Sequence, residues 1–288
     1  MRKIITLFDL SKRELEYLIK RAVELFKGDT PTKKLKEKIG LIYFEKPSTR
    51  TRISFEVAVI KLGGTAIYST DKDTQILRGE DRADFARVLD GYVDFFICRV
   101  YDHKSLEIFS ESTKKPVINA LSNLSHPTQI ISDLATIQLL LGRYEGKKIV
   151  FMGDAKNNVA RSWIEALEVL GNFELVFSCP EGFEPELKSI YKVEYDPSEA
   201  VKDADIIYTD VWFSMGDEFS PEKEEKMKKY AVDSEKAKYA KLVMHCLPAK
   251  KGKEISYDVF EKFKDVIFTQ AHMKLYSAIS ILESIDLE

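Results

Sequence analysis

Ala83-Asp84-Phe85-Ala86-Arg87-Val88-Leu89-Asp90-Gly91-Tyr92-Val93-Asp94-Phe95-Phe96-Ile97-Cys98-Arg99, followed by Lys104 to Ser110 and Pro116-Val117-Ile118-Asn119-Ala120, reads as helix, strand, helix, strand. Such regular alternation signals a parallel α/β sheet. Upstream, Ser11 and Glu14 form a capping box for a helix whose apolar positions Leu15, Leu18, Ile19, Ala22, Val23 and Phe26 follow a 3.6-residue period. Strands are predicted over Lys38 to Phe44 and over Thr65 to Ser69. The polar stretch Thr70 to Arg82 between strand and helix reads as a moving or intersubunit loop.

The pattern restarts after a long apolar helix, Ile130 to Leu141, that stops at Gly142. Strands are predicted at Lys148 to Asp154, Glu174 to Ser178, Ile206 to Tyr208 and Leu242 to Cys246, with helices at Asn158 to Leu170, Pro197 to Ala204 and Ala271 to Leu282. The fold class expected is α/β, with two Rossmann-like α/β domains, parallel sheets and long joining helices. Their boundaries are 1–141 and 142–268, with 269–288 a C-terminal helix packing back on the first domain.

A chain of 288 residues is long for one core and suits two domains. A net charge of -3 gives no reason to expect nucleic acid or an anionic membrane surface, so the ligand is expected to be small. Cys98, Cys179 and Cys246 are odd in number and far apart, and neither C-x-x-C nor H-E-x-x-H occurs. No disulfide framework, metal or cofactor is expected. The N-terminus has no signal-peptide pattern and no apolar run reaches 18 residues, which points to a cytoplasmic protein.

Lys46-Pro47-Ser48-Thr49-Arg50-Thr51-Arg52-Ile53-Ser54-Phe55-Glu56 reads as a loop entering a helix capped by Ser48. Free N–H groups at a helix start, three hydroxyls and two guanidinium groups suit a phosphate. Arg50 and Arg52 diverge by about 200° on a helix, so one of them faces the anion. The competing reading is a surface helix with an Arg52–Glu56 pair. The run Ile53 to Leu62 is apolar on nearly all sides, so the helix is expected to be buried, and buried arginines need an anion or acidic partners.

In parallel sheets, ligands lie beyond the carboxyl ends of the strands. Arg99, Asn119 and Ser125-His126-Pro127-Thr128-Gln129 fall there. Singly, each chemical candidate has a plain alternative. His126 can polarise a carbonyl or be a satisfied loop histidine. Cys246 can be a buried apolar thiol, and Asp210 can cap the following turn. Gly153-Asp154-Ala155-Lys156-Asn157-Asn158 lacks G-x-G-x-x-G, which weakens a nucleotide-binding dehydrogenase reading.

Taken in order, Ser48-Thr49-Arg50-Thr51-Arg52 with Ser54-Phe55-Glu56, Asp73-Thr74-Gln75 with Arg78-Gly79-Glu80, Arg99, and His126-Pro127-Thr128-Gln129 resemble the carbamoyl-phosphate domain of the aspartate/ornithine carbamoyltransferases. Gly153-Asp154 with Asn157-Asn158-Val159, Asp210-Val211-Trp212-Phe213-Ser214-Met215-Gly216 and His245-Cys246-Leu247-Pro248-Ala249 resemble the ornithine branch. An aspartate enzyme would carry a Pro-Leu-x-Arg sequence in place of Cys246-Leu247-Pro248-Ala249. Ordered motifs along most of the chain are specific where single ones are not.

The resemblance implies transfer of the carbamoyl group of carbamoyl phosphate to the δ-amine of L-ornithine, giving L-citrulline and phosphate in arginine biosynthesis or the arginine deiminase pathway. It implies that Ser48, Thr49, Arg50, Thr51, Gln75 and Arg99 hold the phosphate. His126 and Gln129 would take the carbamoyl group, and Cys246 and Leu247 would close over it. It assigns ornithine to Asn158, Asp210, Ser214 and Met215, and catalysis to Arg50, Arg99, His126, Cys246 and Asp210. It also implies a homotrimer or a multiple of trimers, and a closing loop over Ser214 to Pro221. The chain departs from the family at Ala271-His272-Met273-Lys274-Leu275, where Lys274 stands in for the arginine of Glu-Asn-Arg; it keeps the charge for carbamoyl phosphate but not the fork. Rival readings are another amine substrate, such as putrescine or an acylated ornithine, and a non-catalytic anion-binding paralogue.

Overall fold

The computed structural model describes residues 3–213 and 218–287. The chain forms two compact units, Met1–Leu140 with Met273–Glu288, and Leu141–His272.

In the first unit the elements run β1 (Lys3–Ile4), α1 (Lys12–Phe26), β2 (Ile39–Phe44), α2 (Thr49–Lys61), β3 (Thr65–Thr70), α3 (Arg82–Leu89), β4 (Phe95–Arg99), α4 (His103–Glu111), β5 (Val117–Leu121) and α5 (Pro127–Leu141). The capping box of α1 forms as its sequence requires: Glu14 N–H donates to the Ser11 hydroxyl, and Ser11 N–H donates to the Glu14 carboxylate at 2.8 Å. The five strands are parallel in the order β1-β5-β4-β2-β3. β3 stands on one side of β2, and β4, β5 and β1 stand in turn on the other. The switch point, where such sheets open a crevice at the strand ends, lies between β2 and β4.

One face of this sheet packs Leu41, Tyr43, Phe96 and Cys98 against Phe85, Leu106 and Phe109 from α3 and α4. Gly40 pairs with Phe95 across β2 and β4, and the Phe95 ring lies over it so closely that an added Cβ would stand 2.2 Å from a ring carbon. Gly40→Ala is therefore expected to destabilise this unit by about 1–3 kcal/mol, the usual cost of overpacking, read as an earlier urea midpoint at unchanged slope.

The second unit repeats the plan with β6 (Lys148–Met152), α6 (Asn158–Leu170), β7 (Glu174–Ser178), β8 (Lys192–Val193), α7 (Pro197–Ala200), β9 (Ile206–Thr209), α8 (Pro221–Lys228), α9 (Ser234–Ala237), β10 (Leu242–His245) and the start of α10 (Tyr257–Ser284), whose residues from Met273 on belong to the first unit. The order β10-β9-β6-β7-β8 is again parallel throughout, with its switch point between β6 and β9. Val150, Met152, Ile207 and Val243 form a core with Val259, Phe260 and Ile267 of α10.

Two sequence-based expectations need correction. Helix α2 is buried on one face only, through Thr51, Ser54, Phe55, Ala58 and Val59, while Ile53 and Ile60 are 52% and 64% exposed. Apolar residues all round a helix showed its composition but not how many neighbours pack on it. The terminal helix starts at Tyr257, not Ala271, because no glycine or proline interrupts the chain from there to Ser284. Within the first unit its end is anchored: Arg21 Nε donates to Glu283 at 2.7 Å, and Thr32 N–H donates to the same carboxylate at 2.6 Å. The predicted strand and helix pattern otherwise omits the short β1, β8, α8 and α9. Among the described residues, no helix is long and apolar enough to cross a membrane.

Candidate functional site

Chemistry-bearing residues collect at the carboxyl ends of the strands beside each switch point. In the first unit, β2 runs through Glu45-Lys46-Pro47 to Ser48, which caps α2 with its hydroxyl accepting from Thr51 N–H at 3.4 Å. The two arginines behind the cap diverge as helix geometry demands. Arg52 pairs with Glu56 at 2.9 Å and lies over the Tyr68 ring at 3.6 Å, so the plain reading holds for it. Arg50 is half-buried on another side of the same turn, and Thr49 is exposed.

At the end of neighbouring β4, the pairing with β5 shifts register between Cys98 and Arg99. Such an irregularity re-aims the side chain at a strand end, and Arg99 is buried there. Its carbonyl accepts from Glu45 N–H at 2.8 Å, which joins the ends of β2 and β4. Glu45 also accepts from Tyr101 N–H at 2.8 Å and from Arg82.

The third strand of this edge, β5, leads into Ser122 to Ser125. Asn119, which sequence position alone made a ligand candidate, serves this turn: its amide donates to the carbonyls of Ile5 at 2.7 Å and Ser125 at 3.2 Å. The turn delivers His126, which is buried. Lack of solvent holds its imidazole well below its ordinary pKa, helped by the positive charges of Lys274 and Arg99. The Thr128 hydroxyl lies 3.4 Å from Nδ1; with that hydroxyl donating, the ring's single proton sits on Nε2 and can be given to a carbonyl oxygen. Gln129 is held at both ends of its amide: Nε2 donates to Asp133 at 2.8 Å, and Oε1 accepts from Lys274 Nζ at 2.6 Å. A cavity of about 10 Å³ is lined by Thr51, Ser54, Phe55, Thr128, Lys274 and Ala278. Gln75 is exposed beside the turn Ile76–Arg78, and no hydrogen bond among the described residues ties its side chain to this cluster.

In the second unit, β6 is followed by Gly153, whose φ of +119° favours glycine. Asp154 follows, accepting from Lys156 N–H at 3.0 Å and Lys223 Nζ at 2.6 Å. Asn157 caps α6 by accepting from Ala160 N–H at 2.7 Å, and Asn158 opens the helix, half-buried. Neighbouring β9 ends at Thr209, whose hydroxyl donates to Met152 O at 3.0 Å and so ties it to β6. Asp210 comes next.

Asp210 is buried, and burial raises its carboxyl above the ordinary value against the opposing pull of His245, the Cys246 thiol and Val211 N–H. Its Oδ1 accepts from Val211 N–H at 2.8 Å, the turn-capping role, and from Cys246 Sγ at 3.0 Å. Cys246 is half-buried; it stands at the end of β10, the next strand along the same edge. All three cysteines are free thiols. Ser214 and Met215 lie outside the described residues.

His245, quoted in the sequence only as part of a motif, organises this edge. Leu247 N–H donates to its Nδ1 at 2.9 Å, which puts the ring proton on Nε2, facing Glu254 at 3.1 Å. Its own N–H donates to Gln270 at 2.9 Å. These bonds hold Leu247 at φ +59°, before a cis Leu247–Pro248 peptide. Sequence reading also missed Lys223, Asp133 and Glu254; none sits in a quoted motif, and while Lys223 acts through Asp154, 69 positions away, Asp133 and Glu254 act through Gln129 and His245, four and nine positions away. Donor atoms of Asp210, His245 and Cys246 lie within 4.8 Å of one another. Since both nitrogens of His245 are already engaged, the remaining two donors are fewer than a zinc site uses.

Residues 2–139 match the family model described as aspartate/ornithine carbamoyltransferase, carbamoyl-P binding domain, and residues 145–285 match its Asp/Orn binding domain. Ornithine carbamoyltransferase from Thermococcus kodakarensis is 42% identical over 301 residues, covering 98% of this chain and 95% of that protein. The anabolic ornithine carbamoyltransferase of Pyrococcus furiosus is 41% identical over 302 residues, covering 98% and 95%. A solved structure of ornithine carbamoyltransferase from Pyrococcus furiosus superposes with a TM-score of 0.91 at 39% identity, covering 99% of this chain and 96% of that one.

Proposed function

The chain belongs to the aspartate/ornithine carbamoyltransferase family, and from that premise we propose that it transfers the carbamoyl group of carbamoyl phosphate to the δ-amine of L-ornithine, releasing L-citrulline and phosphate. The observation that carries the choice of ornithine is the similarity along nearly the whole chain to ornithine carbamoyltransferases, and the buried Asp210 carboxylate, with the Cys246 thiol 3.0 Å away, supports an amine substrate. An ammonium-bearing substrate needs such a carboxylate, and a simple anion binder has no use for it.

On this reading Ser48, Thr49, Arg50, Thr51 and Arg99 bind the phosphate, with Gln75 as a further ligand. His126, kept neutral, donates from Nε2 to the carbamoyl oxygen, and Gln129 takes the amide. Asn158 and Asp210, with Ser214 and Met215, bind ornithine, while Cys246 and Leu247 close over the carbamoyl group. The neutral δ-amine attacks the carbamoyl carbon, and the tetrahedral intermediate expels phosphate, which can accept the amine's proton. Arg50, Arg99 and His126 stabilise charge that grows on the carbonyl oxygen and the leaving group. The Pyrococcus relative described as anabolic supports the biosynthetic direction. We assign the protein to the cytoplasm and to a homotrimer or a multiple of it, in keeping with the family resemblance.

Phosphate release from carbamoyl phosphate, measured in parallel with ornithine, putrescine, N-acetylornithine and aspartate and with citrulline scored by colour, tests this directly. Turnover with ornithine alone is the expected result. Preference for another amine would overturn the ornithine assignment, and no turnover with any of them would favour a non-catalytic anion-binding protein.

A further inference from the structure

We propose that Lys274 is a positioning residue for recognition of the carbamoyl amide: acting with Asp133, it clamps Gln129 so that an acceptor oxygen, and not an N–H donor, is offered to the NH2 group of the ligand. This rests on the reading that the first unit binds carbamoyl phosphate. It gives Lys274 a task different from neutralising the phosphate, the task that the resemblance lends to its position.

The argument is one of hydrogen-bond polarity. A glutamine amide can turn over and exchange its oxygen for its nitrogen. An ammonium group can only donate and a carboxylate can only accept. Lys274 Nζ is 2.6 Å from Gln129 Oε1, and Asp133 Oδ1 is 2.8 Å from Gln129 Nε2. Turning the amide over would set donor against donor and acceptor against acceptor at both ends. Gln129 is 2% exposed and Asp133 0%, so water cannot relieve either mismatch. The carbonyl oxygen has two lone pairs, and Lys274 uses one. On the proposal the second accepts from an NH2 group, a bond that a methyl group in the same place cannot make.

Lys274 also lines one small cavity with Thr51 and Thr128. The clamp therefore stands beside the groups that would hold the rest of the ligand. Its charge additionally helps keep the His126 ring neutral.

The test compares phosphonoacetamide with 2-oxopropylphosphonate, which differs in having a methyl group where the amide has NH2, by titration calorimetry; inorganic phosphate is the control for the anion site. The wild-type protein is expected to prefer the amide by about tenfold or more, the worth of one good hydrogen bond. In Lys274→Met the preference should fall to within about threefold while phosphate affinity changes less, and Lys274→Arg, also donor-only, should keep it. Equal weakening of all three ligands in Lys274→Met, or an unchanged preference, overturns the proposal. Asp133→Asn keeps the shape and can still accept from Gln129, but it no longer forbids the turned-over amide at that end; combined with Lys274→Met it frees the amide at both ends, and an unchanged preference in that double variant counts against the clamp. Failure of the wild-type protein to bind either phosphonate would instead overturn the carbamoyl-phosphate reading itself.

Discussion

Asp210→Asn is expected to lower kcat/KM for ornithine by about a hundred- to a thousandfold while raising the apparent melting temperature at neutral pH. The first effect follows from the loss of a buried partner for an ammonium group, which typically costs about 2–5 kcal/mol. The second follows from the carboxyl's environment. Burial is the largest influence on Asp210 and raises its pKa in the folded protein. Between the unfolded value, about 3.9, and the raised native value, the folded chain binds the proton more tightly. The contribution of this group to stability is thus greatest below the unfolded pKa and is lost as pH rises through the native one. Asparagine has the same shape and no ionisation, so the gain should be present at pH 7.5 and fade towards pH 4. Calorimetric scans at the two pH values, with steady-state kinetics in ornithine, check both halves. A variant that loses activity and stability together would make Asp210 a structural cap for Val211 and nothing more.

His126→Ala should reduce kcat by about a hundred- to a thousandfold, the usual loss when one preorganised donor to a developing oxyanion is removed, with a smaller change in KM. The prediction depends on the ring being neutral. Burial, with Lys274 and Arg99 nearby, depresses the native pKa, so the unfolded chain binds the proton more readily. The contribution to stability is present above about pH 6.5, the unfolded value, and is lost as pH falls through the native one. Two consequences can be measured. The wild-type kcat profile should show no limb near pH 6.5 that disappears in the variant, and the stability difference between the two proteins should narrow from pH 7.5 to pH 5. A wild-type limb near pH 6.5 that vanishes in His126→Ala would mean that the imidazole works as a titrating base.

Much of this protein is legible in its sequence because local chemistry sets local structure. The Ser11–Glu14 capping box, the Ser48 cap and the alternation of short apolar runs with helices identify the elements and show that the sheets are parallel. Arg99, Asp154, Asp210 and Cys246, placed at or just past predicted strands, lie at or within two residues of strand ends in the structure, and Ser48 follows β2 as the cap of α2, since a parallel sheet carries its loops there. Strand order, however, is a property of long-range pairing. Only the order β5-β4-β2 brings Arg99 and His126 to one edge with Ser48, and only β10-β9 adjacency sets Cys246 against Asp210, 36 residues earlier. The Lys274–Gln129 bond spans 145 positions. Hydrophobic periodicity records that a face is covered but not by what. That is why the exposure of Ile53 and Ile60, the neutral His126 and the clamped Gln129 were decided by tertiary packing alone.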